Sequence, residues 1–256
     1  MTRYEDVSLS VVDGTARMAV NRPDKLNAYR NETADQLRAA LAEAEADASV
    51  RALLLTGEGR AFGAGYDLST IKPGEVPALD DVLEHHFNPL VRAMRASRLP
   101  IVAAVNGPCA GAAVGIALAA DIVLMARAAY FYEPFVGIAL APDAGNTLFL
   151  SRMLGRIRAS GMMLLGDRLS AERALQWGLA WDVVDDGELP AAADAVCAKL
   201  AALDPDAVAA TKRLIGSAAD TGAAAQLDLE RDLQGDLGRA PAMKARIAEF
   251  FARRKS

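Results

Sequence analysis

Cysteine is nearly absent from this chain: Cys109 and Cys197 are the only two in 256 residues. Two thiols cannot build a disulfide framework. Both lie in apolar, Ala-rich surroundings, so buried free thiols in a reducing compartment are expected. Histidine is equally scarce, with only His85 and His86. Without a Cys/His cluster no metal site is expected. A Ser-His-Asp triad would have to use one of those two histidines, and the chain has no G-x-S-x-G elbow to present the serine. No segment reaches the run of about 18 apolar residues that a membrane helix needs. The opening Met-Thr-Arg-Tyr-Glu-Asp is charged and is not followed by the apolar core of a secretion signal, so a cytoplasmic protein without a membrane partner is expected. A basic patch or stripe is also missing: 28 basic side chains face 33 acidic ones, for a net charge of −5, which argues against a nucleic-acid partner. What is present is 52% hydrophobic and 24% charged residue content, ordinary for a globular protein and incompatible with intrinsic disorder. The length suffices for one large domain or two small ones.

The order of apolar patterns reads as α/β. Val7 to Val11 alternates like a half-buried strand, Asp13-Gly14 is a hairpin turn signal, and Arg17 to Asn21 reads as the returning strand. Residues 31 to 47 carry Leu37, Ala40, Leu41 and Ala44 at helical spacing. The short apolar runs Ala52–Leu55, Ile101–Val105 and Ile122–Ala126 read as buried strands, with a helix-competent stretch from Gly111 to Ala120 between the last two. Alternating strands and helices of this kind pair in parallel. Residues 69 to 82, with Pro73, Gly74 and Pro77, read as a loop beside a site. From about 160 onward the chain reads as helices, among them a capped one from Ser170 to Gly178. The expected organisation is an α/β core over residues 1–200 and a helical region over 201–256 used for oligomerisation.

Two glycine-rich turns follow predicted strands. One runs from Arg60 through Gly63 and Gly65 to Leu68, and the other from Asn106 through Gly107 and Gly111 to Ala113. Glycine lets backbone approach a ligand closely, and a helix N-terminus offers free N–H groups, so the pair suits a phosphate or an oxyanion. Each could equally be a tight strand-to-helix turn. Neither matches a Walker A loop or a complete dinucleotide fingerprint.

Six blocks in order carry a resemblance: Asn21–Ala28 (N-R-P-D-K-L-N-A), Ala61–Leu68 (A-F-G-A-G-Y-D-L), Pro100–Gly107 with Ala110-Gly111, Ala120–Val123, Gly137–Gly145, and Leu169–Ala174 with Trp177–Leu179 before Val183-Val184. With these blocks the chain resembles the crotonase (enoyl-CoA hydratase/isomerase) superfamily over nearly its whole length. The resemblance implies a spiral of ββα units with C-terminal helices that mediate trimerisation. It also implies an acyl-CoA thioester as substrate, no separate cofactor, and a homotrimer or dimer of trimers. It further implies that the backbone N–H groups of Tyr66 and Ala112 hold the thioester oxygen as it becomes an enolate. Residues lining the substrate and CoA site by the same resemblance are Lys25, Leu26 and Ala28 in the first block and Ala64, Gly65, Tyr66, Asp67 and Leu68 in the second. Gly111, Ala112 and Phe135 complete the set. Lys25 and Lys255 are candidates to meet CoA phosphates, although lone lysines carry little specificity.

The acid and base positions narrow the expectation. The two glutamates of the family's hydratases fall here on Gly115 and Phe135, so the pair that activates water and protonates carbon is missing. Asp143 follows Pro142 instead. Family members with an aspartate there use it as a base in isomerisation or as a nucleophile in dehalogenation. Glycine or alanine and phenylalanine at the glutamate positions, together with this aspartate, resemble the ring-epoxide (1,2-epoxyphenylacetyl-CoA) isomerases of phenylacetate degradation. Matches at Phe87–Arg92, Leu164–Gly166, Trp181, Val183–Asp186 and Gln226–Asp232 agree with that subgroup. An acyl-CoA isomerase, acting on a ring epoxide or a 3-enoyl thioester with Asp143 as sole base, is therefore expected. The alternatives are a hydratase-like enzyme, a dehalogenase or thioesterase with Asp143 as nucleophile, and a non-catalytic acyl-CoA-binding subunit. Taken without the resemblance, Asp143 reads as a helix N-cap. Glu133 is expected to be solvated or salt-bridged, and to share a face with Phe135 if residues 129 to 135 are extended. His85 and His86 are expected on a helix at the surface or in a pocket wall.

Overall fold

The computed structural model describes residues 2–71, 74 and 78–253. The chain opens with β1 (Thr2–Arg3), β2 (Val7–Val12) and β3 (Thr15–Val20), which pair antiparallel. Asp13 and Gly14 have φ of 48° and 76°, the two positive angles a tight hairpin turn needs, and Val12 lies opposite Thr15 as that turn dictates. Helix α1 (Asn31–Ala46) buries Leu37, Ala40, Leu41 and Ala44, the predicted stripe, against β2 and β3. It leads to β4 (Ala52–Gly57), parallel to β3. Next come α2 (Leu79–Val82), one π-helical turn at Leu83–Phe87, and α3 (Asn88–Ala96). The predicted loop at 69–82 is thus helical from Leu79 onward, and residues 72, 73 and 75–77 of it lie outside the described residues.

Strand β5 (Ile101–Val105) pairs parallel with β4. It is followed by β6 (Pro108–Ala110), α4 (Ala112–Leu118), β7 (Ile122–Ala126) and β8 (Tyr130–Tyr132). Then come α5 (Asn146–Leu165), β9 (Leu169–Ser170), α6 (Ala171–Trp177), β10 (Asp182–Val184) and α7 (Leu189–Ala201). One seven-stranded sheet has the order β1-β2-β3-β4-β5-β7-β10, parallel from β3 onward. Every residue of β5 is buried, as a continuous apolar run in a parallel sheet requires. Helix α7 packs on β3, β4, β5 and β7. A second sheet, β6-β8-β9, was not predicted. Its strands are two or three residues long, too short to display alternation. Helix α5 begins at Asn146, well before the predicted helical region, and carries a non-helical Gly155 that interrupts its periodicity. Cys109 and Cys197 are both buried and free.

The chain divides into two compact units, Met1–Ala201 and Ala202–Ser256. The second holds α8 (Pro205–Ala218), α9 (Ala223–Arg239) and α10 (Pro241–Arg253). Gln226 ties α9 to α8 by donating to the Leu214 carbonyl at 3.0 Å and accepting from Ser217 Oγ at 2.9 Å. No residue of α8 or α9 is buried, and Ile215, Leu227, Phe250 and Phe251 are all more than half exposed. No helix among the described residues is long and apolar enough to cross a membrane.

Candidate active site

Strands β4 and β5 are parallel neighbours, so the turns that leave them emerge at the same end of the sheet, where open α/β sheets carry their ligands. Two asparagines, Asn27 buried and Asn106 half-buried, knit those turns together. Asn27 donates to the carbonyls of Glu58 and Ala61 at 2.8 and 2.6 Å and accepts from the Arg22 N–H at 2.8 Å. Asn106 donates to the carbonyls of Gly57 and Gly59, each at 2.9 Å. The two turns then touch backbone to backbone. A Cβ on Gly65 would stand 3.0 Å from the Ala110 carbonyl oxygen and 3.6 Å from the Gly111 Cα, and Gly65 has φ of +86°. Only glycine permits both the angle and the approach.

That contact sets two N–H groups side by side. Tyr66 forms a parallel bridge with Tyr29: the Tyr29 N–H donates to the Gly65 carbonyl at 2.8 Å and the Asp67 N–H to the Tyr29 carbonyl at 2.9 Å. The N–H of Tyr66 itself is turned away from that pairing. Ala112 is the first residue of α4, where helix geometry leaves the N–H without an intrahelical acceptor. Neither N–H donates to another backbone group among the described residues. Both residues line a cavity of about 450 Å³. Apart from Asp143, its described walls are apolar, with Leu68, Ile71, Leu79, Val82, Leu83, Phe87, Pro134, Phe135, Ile138 and Leu140. The Tyr66 ring packs edge-on against Phe87, with centroids 6.0 Å apart.

Among the described residues, Asp143 is the one carboxylate in this lining. Its Oδ1 is buried without a hydrogen-bond partner among the described residues. Burial raises its pKa to about 6, against a smaller opposing effect of its own backbone N–H. It is not a helix cap: the N-cap of α5 is Gly145, and Asp143 contributes only its carbonyl, which accepts from the Asn146 N–H at 2.9 Å. Gly115 sits behind this loop, where a Cβ would meet the Ala144 carbonyl oxygen at 2.2 Å. A side chain at 115 is therefore excluded by the same loop that carries Asp143. Phe135 is 6% exposed, and its ring lies against Gly111.

A family model described as enoyl-CoA hydratase/isomerase matches residues 11–256. The chain belongs to the enoyl-CoA hydratase/isomerase family. It is 41% identical over 247 residues to the 1,2-epoxyphenylacetyl-CoA isomerase of Escherichia coli (strain K12), covering 95% of this chain and 94% of that one. It is 30% identical over 199 residues to the 4-chlorobenzoyl coenzyme A dehalogenase-1 of Arthrobacter sp, covering 77% and 72% of the two chains. The crystal structure of an enoyl-CoA hydratase from Polaromonas sp. JS666 matches with a TM-score of 0.92 at 30% identity, over 96% of this chain and 97% of that one. The mixed α/β architecture is that of the family, as the sequence motifs imply.

Of the residues the family motifs point to, Ala64, Gly65, Tyr66, Leu68, Gly111, Ala112, Phe135 and Asp143 all line the cavity. Asp67 lies outside that lining. Its carboxylate pairs with Arg22 at 2.8 Å and accepts from the Ser69 N–H and Oγ. Burial works against its charge, but the bonds from Ser69 and Arg22 outweigh burial and hold its pKa below the ordinary value. Arg22 also donates to the Ala28 carbonyl, so the pair braces the first glycine turn. Lys25, Leu26 and Ala28 lie outside the cavity lining, on the turn that leads into the Tyr29–Tyr66 bridge; Lys25 is exposed and Ala28 buried. Lys255 lies outside the described residues. His85 and His86 do lie in a pocket wall, on the π-helical turn. They line a neighbouring cavity of about 290 Å³, and His86 Nδ1 is 2.8 Å from Asp35.

Glu133 overturns its expectation. It is 0% exposed, and neither carboxylate oxygen has a hydrogen-bond partner among the described residues. The extended run stops at Tyr132 and Pro134 turns helical, so Glu133 and Phe135 do not share a face. Sequence reading also missed the outer cavity wall at Leu79, Val82, Leu83 and Phe87. The apolar spacing from Leu79 through Phe87 to Leu90 was its available signal. Among the described residues, no group of three His, Cys, Asp or Glu side chains converges as a metal site would require.

Proposed function

We propose that this protein is an acyl-CoA isomerase in which Tyr66 and Ala112 form an oxyanion hole and Asp143 is the only base. The observation that carries this reading is Asp143: among the described residues it is the one carboxylate in an apolar wall shared with the two N–H groups, and its Oδ1 has no hydrogen-bond partner there. The Asp143 carboxylate takes a proton from the carbon next to the thioester. The electron pair moves into the carbonyl, and the enolate oxygen accepts from both N–H groups. With a 3-enoyl substrate the charge extends over the former double bond, and Asp143 returns the same proton two carbons away. The product is the conjugated 2-enoyl isomer, and the base is regenerated. Hydration is disfavoured because Gly115 and Phe135 stand where a hydratase has its acids, and among the described residues of the cavity wall only Asp143 carries a carboxyl group. The 41% identical relative named as a 1,2-epoxyphenylacetyl-CoA isomerase supports a ring-epoxide thioester as a second substrate to try. CoA is part of the substrate, and no separate cofactor is invoked.

The test is a panel of thioesters: a 3-enoyl-CoA, 1,2-epoxyphenylacetyl-CoA, crotonyl-CoA and 4-chlorobenzoyl-CoA. Isomerisation of either of the first two is expected, with crotonyl-CoA hydration slower by at least about 10²-fold, the low end of what acid–base groups contribute. Hydration at a rate matching isomerisation, or chloride release alone, would overturn the assignment. A nonreactive acyl-CoA should bind in calorimetry; no heat at millimolar ligand would remove the thioester site itself.

The exposed apolar residues of α8, α9 and α10 support a homotrimer or a dimer of trimers. Light scattering is expected to give a mass of three or six times 27.0 kDa at micromolar concentration, and a monomer mass would refute it.

A further inference from the structure

Glu133 takes no part in the mechanism above. It sits between β8 and the helical turn Phe135–Ile138, and the next two residues, Pro134 and Phe135, share the cavity wall with Asp143. Glu133 itself is behind that wall, fully buried, with both oxygens unpartnered among the described residues. Asp143 presents a similarly orphaned Oδ1.

The surroundings of Glu133 are acidic or neutral on each side that packs against it. From the loop ahead of α5 comes Asp143. From β6 comes the Cys109 thiol, pushed well up by burial and then by Glu133. Beyond Cys109 lies the Tyr29 hydroxyl, also buried without a partner. The backbone of Gly166 approaches the main-chain carbonyl of Glu133, where a Cβ would stand 3.3 Å from that oxygen. Strand β9 brings no titratable group. Helix α6 also packs on β8, but its Glu172 and Arg173 are exposed and engaged by Arg127 and Trp177. Arg168 stacks its guanidinium on the Tyr130 ring, 4.7 Å from the centroid.

We propose that Glu133 is a positioning residue for Asp143: a buried carboxylic acid that keeps its proton through the neutral range, so that Asp143 alone ionises and serves as the base. This rests on the reading of Asp143 given above. A carboxylate in such a site, with neither cation nor hydrogen-bond donor among the described residues, is too costly to form beside a second one. The two carboxyls therefore lose their protons in separate steps that belong to the pair. The first, near about 6, falls to Asp143, which faces the cavity. The second falls to Glu133, raised to about 9 by burial and then by the Asp143 charge. Once Glu133 ionises, a second negative charge stands behind the wall where the enolate forms, and it opposes that enolate.

Infrared difference spectroscopy of the ligand-free protein tests this directly. A protonated-carboxyl band is expected at pH 7.5, shifted by ¹³C-carboxyl labelling of glutamate but not of aspartate, and lost as pH passes about 9. It should be missing in Glu133→Gln and in Glu133→Met, the latter an apolar replacement of similar size should the amide not fold. In isomerase assays both variants should keep the rise of rate through about pH 6 and lose the alkaline fall that the wild type shows. A wild type without the labelled band overturns the pair, as does an alkaline fall that persists in the variants. The band is read without substrate. Inactivity on every thioester would thus defeat the isomerase reading alone, and an active enzyme without the band would defeat the role of Glu133 alone.

Discussion

Replacing Asp143 by Asn should lower isomerase turnover by about 10²–10⁴-fold while leaving affinity for a nonreactive acyl-CoA nearly unchanged. The amide keeps the size and shape of the side chain and removes only its basicity. Binding should survive because the oxygen of the thioester is held by backbone donors. The loss would not reflect a damaged helix, since α5 is capped at Gly145 without any side chain. The wild-type rate should climb through about pH 6, where Asp143 becomes the carboxylate, and fall tenfold per unit below it.

The same residue has a stability signature. Its folded pKa of about 6 lies above the ordinary 3.8, so its favourable contribution is complete below pH 3.8 and is lost as pH rises through 6. At pH 8 the buried charge costs the fold about 3 kcal/mol, a cost the Asn variant avoids. Asp143→Asn should therefore be inactive yet more heat-stable than the wild type at pH 8, with the difference vanishing near pH 4. Normal turnover in the variant, or a destabilisation of equal size at both pH values, would contradict the assignment.

Replacing Ala112 by Pro should cut kcat by about 10²–10³-fold, the cost of one oxyanion donor. This substitution isolates the donor because Ala112 is the first residue of α4. Proline is well tolerated at that position, where its missing N–H is one the helix never uses and its fixed φ already suits the first turn. Folding should persist, as judged by circular dichroism and an unaltered oligomer mass. The loss should fall mainly on kcat, since the charge on the oxygen is larger in the transition state than in the bound thioester. An unchanged rate in a folded variant would remove Ala112 from the oxyanion hole.

Much of this protein is legible in the chain itself. The buried strands Ala52–Leu55, Ile101–Val105 and Ile122–Ala126, the Asp13-Gly14 hairpin, the α1 stripe and the Ser170 cap are all local patterns, and local patterns are what a sequence states directly. The motif blocks likewise point to the two glycine turns, because the tight approach at Gly65 and the positive φ of both Gly65 and Gly111 favour glycine. What the chain leaves open is decided by neighbours distant in sequence. Whether Asp143 caps a helix or faces a cavity depends on how the 142–146 loop packs over Gly115 on α4. The Asp67 carboxylate is taken up by Arg22, brought in from the preceding motif, a pairing that no local pattern announces. The tiny β6-β8-β9 sheet exists only because the strands find one another, with too few residues in each to show a period. Glu133 reads as a solvated or salt-bridged acid, yet the fold buries it completely just before the helical turn that opens at Pro134. Burial is a property of the surroundings, so the charge state of a carboxyl, and with it the chemistry this cavity supports, belongs to the tertiary structure.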